Sequence, residues 1–199
     1  MPAHKVKKES DLIKVAFLFL LRRLAEMVFK TNITSGDFGA VLFEIVASIY
    51  SKKAFEESCA LCNFKFRSRE EFQEGMSEWI AFGMFLVQKG ILANAQGDAR
   101  PRLASALFQQ FAISIRSGGM NEQETAKVQS WMDESLAEYV HEDATKDVTE
   151  LAIRKIFDRP IGSLDLKSPT AFELQVVLTQ RFQPTLDSVE RLFKQFRII

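Results

Sequence analysis

Histidine, cysteine, tyrosine and tryptophan each occur only twice in these 199 residues, and each shortage removes a class of chemistry. Two histidines leave little material for general-base catalysis, although Glu or Lys can serve in their place. Two cysteines cannot build the disulfide framework of a small secreted domain. The apolar run Val15–Leu21 (VAFLFLL) falls far short of the roughly 20 residues that a membrane span needs. Arg22–Arg23 follows it at once with no small-residue cleavage site, so neither a span nor a secretion signal is expected. G-x-S-x-G, the P-loop and the dinucleotide G-x-G-x-x-G are all missing. With them goes every specific reason to propose an enzyme, and the expectation is a non-enzymatic protein. Thiols without a disulfide framework give a cytoplasmic, reducing location as the default.

What is abundant is phenylalanine, with 18 residues. Phe has a large apolar body and no polar handle, so most of these rings belong in a core or in an apolar groove between helices. Hydrophobic and charged contents of 47% and 26% are those of an ordinary globular chain. The formal charge is zero, but it is segregated: +4 over residues 1–70, −7 over 71–150 and +3 over 151–199. Such asymmetry steers a partner, or pairs the ends of the chain with its middle.

The periodicity is helical almost throughout. Ser10 or Asp11 caps a first helix reaching about Lys30, apolar all round in its middle and hence central. Phe38, Val41, Leu42, Ile45, Val46 and Ile49 form the stripe of a second. A short third helix follows around the cysteines; beyond it Cys62, Phe64 and Phe66 alternate with polar residues, but a lone strand makes no sheet. Ser68 and Glu71 form a capping box, opening a helix whose mid-helix Gly83 implies close approach of another helix. Pro101 suits the first turn of the next helix. Ser117-Gly118-Gly119 is the strongest break, and Asn121 with Glu124 starts an acidic helix to about Glu142. Val148–Phe157 is a short helix stopped by Arg159–Pro160 and Gly162. Ser168–Pro169 opens another, and Pro184 separates it from a final amphipathic helix. The expected fold is therefore an all-α bundle of eight or nine helices. It is read as a single domain over 1–199, with a possible sub-boundary near 117–120 between a main bundle 1–118 and appended helices 119–199.

Cys59 and Cys62 form a C-x-x-C, the one motif able to carry chemistry alone. As a redox pair Cys59 is the nucleophile and Cys62 the resolving thiol, which requires Cys59 to be accessible at a helix N-terminus. Phe55, Cys59, Cys62 and Phe66 instead follow the spacing of one apolar helix stripe, which favours core. Zinc would need two further Cys or His ligands, and only His4 and His141 are available. Glu138 and His141 make an E-x-x-H with Glu134 on the same face, half of a di-iron signature whose second half is lacking. No cofactor and no metal are expected. Nucleic acid is not expected either: Asp37–Tyr50, in place for a recognition helix, contains Asp37 and Glu44 and no Lys or Arg. Lys5, Lys7 and Lys8 read as a solvated basic arm.

Three functions stay open. The first is a non-enzymatic helical module for protein–protein interaction or regulation, with a protein partner or as a homodimer. The second is a thiol-redox protein using Cys59 and Cys62. The third is an apolar small-molecule binder with a Phe-lined pocket.

Overall fold

Short-range caps decide where the helices start. In the computed structural model, which describes residues 30–144, 148–158 and 168–199, Thr34 Oγ1 accepts from the Asp37 amide at 3.1 Å. It opens α1 (Ser35–Ile49). Ser51 opens α2 (Lys52–Leu61) and Ser68 opens α3 (Arg69–Asn94) in the same way. The Glu71 carboxylate accepts from the Arg67 amide rather than from that of Ser68, so the expected box closes one residue earlier. Asn121 and Glu124 make the full reciprocal box, at 3.0 and 2.9 Å, and open α5 (Glu122–Asp143). Pro101 lies in the first turn of α4 (Ala99–Ser117), where its missing N–H is harmless. Then follow α6 (Val148–Ile153), continued by a π-helical turn over Arg154–Asp158, and α7 (Pro169–Gln195), capped by Ser168.

The architecture is mostly helical, with one short strand pair. β1 (Thr31–Ile33) and β2 (Phe196–Ile198) run parallel, Thr31 facing Phe196 and Ile33 facing Ile198. The expected final helix thus gives way to a strand at Phe196. Eight or nine helices are not found: the described residues hold α1 to α7. One reason is Pro184, which interrupts nothing. Ser168 caps one long helix that runs through it, and the Thr185 hydroxyl beyond the proline bonds back to the Arg181 carbonyl at 2.7 Å. Pro184 itself is exposed on the outer face, while Leu178, Thr185 and Val189 hold the inner face against the core. The first expected helix, about 11–30, lies outside the described residues. So do the basic arm with His4 and the stop at Arg159, Pro160 and Gly162.

The helix buried all round is α3, with every residue from Ala81 to Val87 inside. Helices α1, α4, α5 and α7 and the π-helical turn pack on it. Gly83 does mark a close approach, though by a ring: an added Cβ would lie 2.4 Å from the Tyr50 side chain. Tyr50 follows α1 and reaches Thr185 of α7 at 3.2 Å, tying three helices at one point. The buried side chains from Phe38 to Val189 form one contiguous cluster. No helix among the described residues is long and apolar enough to cross a membrane.

Candidate functional site

The cysteines sit where α2 stops. Asn63 adopts a left-handed conformation (φ +48°), its amide bonds to the Ala60 carbonyl at 3.1 Å, and the Phe64 amide bonds to that of Cys59 at 2.8 Å. This paired closure is a Schellman motif, which Asn tolerates better than most side chains. It puts Cys59 in the last turn and Cys62 at the cap, both buried and both free thiols. That is the end of the helix where the backbone carries partial negative charge. Burial pushes the Cys59 thiol up to about 12, with Cys62 and Glu56 adding in the same direction. Burial, then the charge of Glu173, raises Cys62 as well. A redox nucleophile needs the opposite setting: an accessible thiol with a lowered pKa. Phe66 is not on the helix of the expected stripe, because α2 ends at Leu61; it rejoins Phe55 at 5.6 Å through irregular chain.

The stretch after α2 alternates in burial as its sequence alternates: Cys62 and Phe64 are buried, Asn63 and Lys65 exposed. It builds an aromatic cluster with Phe55 at the centre, facing Phe72 at 5.3 Å, Trp79 at 5.5 Å and Phe157 at 6.1 Å. Over the cluster lies an open groove of about 460 Å³ whose apolar lining includes Cys59, Phe64, Phe66 and Phe72, with Glu56 and Lys65 also along it.

Glu134, Glu138 and His141 are exposed on α5, and no group of metal-binding side chains is assembled among the described residues. Glu138 is engaged elsewhere: its Oε2 accepts from Lys155 Nζ at 2.6 Å.

Lys155 belongs to a buried polar network that sequence reasoning missed. It is 6% exposed on the π-helical turn, and its Nζ also lies 3.4 Å from Glu78 Oε2 and 2.8 Å from Ser135 Oγ. Glu78, 1% exposed in the middle of α3, accepts from the Ser135 hydroxyl at 3.1 Å and from the Tyr139 hydroxyl at 3.5 Å. The Lys155 ammonium stands 5.0 Å over the Tyr139 ring. Removing one partner of such a pair costs about 3–5 kcal/mol, because the other charge stays buried. Ser135 both accepts from Lys155 and donates to Glu78, so its hydroxyl is held from two sides rather than turned toward a cavity. No local sequence signal sets these two charges apart: Arg154 stands beside Lys155, and Ser77 precedes Glu78.

Two large apolar side chains point outward: Leu61, 75% exposed at the end of α2, and Phe172, 65% exposed in the first turn of α7. No family model, curated protein or solved structure matches this chain.

Proposed function

We propose that this protein is a non-enzymatic helical module that binds a protein partner, a second copy of itself included. One observation carries the reading. Leu61 at the end of α2 and Phe172 in the first turn of α7 leave large apolar surfaces in water, beside a core that otherwise takes in most of the chain's aromatic rings. Scattered exposed apolar residues are ordinary, but side chains this large left mostly in water suit a contact surface. The thiols are free, which agrees with the reducing, cytoplasmic location that belongs to this proposal.

The test is a photo-reactive amino acid placed at position 172 in living cells, with exposed Gln123 of α5 as the control site. A discrete adduct from 172 and none from 123 supports the reading, its mass separating a homodimer from another partner. No adduct at either 172 or 61 overturns it.

The groove over the aromatic cluster favours a second reading, an apolar small molecule held by Phe64, Phe66 and Phe72. Its size, about 460 Å³, lies within the range of ligand pockets. A fluorescent fatty acid should bind with one-to-one stoichiometry and lose affinity in Phe66→Glu. Binding unchanged by that substitution removes this reading.

A further inference from the structure

We propose that Lys155 is the latch of a conformational device in which Phe157 plugs the inner wall of the aromatic groove. Lys155, Ile156 and Phe157 are consecutive and all buried. An α-helix turns about 100° per residue, so burying all three takes partners on more than one side. The segment adopts a π-helical turn, a rare form that appears mostly as single turns and frequently at functional sites. Its surroundings are shaped to receive it. The Ile156 carbonyl lies so close to Gly75 that an added Cβ there would stand 2.6 Å away. One turn further along the same face of α3, Glu78 takes the Lys155 ammonium, and Ser135 and Glu138 take it from α5.

Two residues on from the latch, Phe157 meets Phe64 at 5.2 Å and Phe66 at 6.4 Å. Both rings also line the groove that Cys59 borders. Loss of the latch removes the ionic hold on the turn, which relaxes toward α-helical register and carries Phe157 around the axis, away from its ring partners. The groove then opens inward at Phe64 and Phe66. Glu138, 56% exposed, is the side on which solvent and solutes reach the latch. The device holds whichever partner or ligand the protein takes.

Native-state thiol labelling tests it. Cys59 lines the groove and Cys62 does not, so the ratio of their reaction rates with a disulfide reagent, resolved by peptide mass, reports local opening. In Lys155→Met the Cys59 rate should rise roughly tenfold relative to Cys62, the effect of one to two kcal/mol on a local equilibrium. Phe157→Ala, which removes the plug and leaves the latch, should do the same. Lys89→Met, which breaks the Lys89–Asp143 pair and the contact of Lys89 with the Phe182 ring, none of them lining the groove, should leave the ratio unchanged. Should Lys155→Met fail to fold, Ser135→Ala loosens the latch without leaving a charge unpaired, and a smaller rise is expected. An unchanged ratio, or both cysteines accelerating together as global stability falls, overturns the proposal.

Discussion

Cys59 and Tyr50 are acids that folding takes out of water, and both hold their protons more tightly as a result. Burial raises Cys59 from an ordinary 9.0 to about 12. It raises Tyr50 well above its ordinary 10.0 against the opposing effects of the Thr185 hydrogen bond and Arg181. Above pH 9.0 the unfolded chain releases a proton from Cys59 that the native state keeps. The native form then binds more protons, so stability falls as pH rises. The contribution of Cys59 is complete below pH 9.0 and is lost progressively toward about 12. Tyr50 adds a second loss from 10.0 upward. The urea midpoint of Cys59→Ala should therefore decline less steeply with pH between 9.0 and 12 than that of the wild type. Parallel slopes would mean that Cys59 is no more shielded than in the unfolded chain. At neutral pH the same protonation leaves the thiol a weak nucleophile, whatever the C-x-x-C spacing suggests.

Glycines set how closely the helices approach, and two of them in α1 separate packing from propensity. A Cβ on Gly39 would lie 2.6 Å from the Cβ of Ala106 and 2.8 Å from its carbonyl carbon, so α4 backbone stands in the way. A Cβ on Gly36 would meet only the Thr34 hydroxyl, at 3.9 Å. Gly39→Ala should lower stability by about 1–3 kcal/mol through overpacking. Gly36→Ala should raise it by about 0.5 kcal/mol through lost freedom of the unfolded chain. Thermal melts of both variants check this; a stabilised Gly39→Ala would mean that α1 and α4 separate without cost. The same contrast between local and distant causes governs what the sequence makes legible. Helix starts at Ser68, Asn121 and Ser168 were readable because each cap spans three residues. Pro184 misled because its effect on α7 is overruled by packing of Thr185 and Val189 on other helices. Three-residue strands at Thr31 and Phe196 have no periodicity to read, and each exists only because the other is beside it. The Lys155 network was hidden for the same reason. Nothing near Lys155 in sequence indicates that Glu78 faces it.

At the scale of the molecule, segregated charge finds a structural use: Lys155, from the basic last quarter, is neutralised by Glu78 and Glu138 of the acidic middle. The two extremes of the described chain also meet. Lys30 Nζ donates to the Phe193 carbonyl at 2.8 Å, and Phe38 of α1 packs edge-on against Phe193 at 5.0 Å and Phe196 at 6.1 Å. The C-terminal half of α7 is therefore divided in role. Val189 sits so close to Gly90 that an added Cβ there would be 2.7 Å away, and Thr185 holds Tyr50; both belong to the core. β2 only adds a strand to β1 and covers Phe38. A chain ending at Gln195 should keep one cooperative unfolding transition with a lowered midpoint, since it loses the strand pair and one ring contact. A chain ending at Gln183 loses Val189, Leu192 and Phe193 as well. It should expose the faces of α1 and α3 that these residues cover, bind an apolar dye and aggregate. Size-exclusion chromatography with light scattering and a urea titration separate the two outcomes. If the shorter chain stays monomeric and unfolds cooperatively, residues 184–199 contribute little to the core, and that half of α7 is itself a surface for a partner.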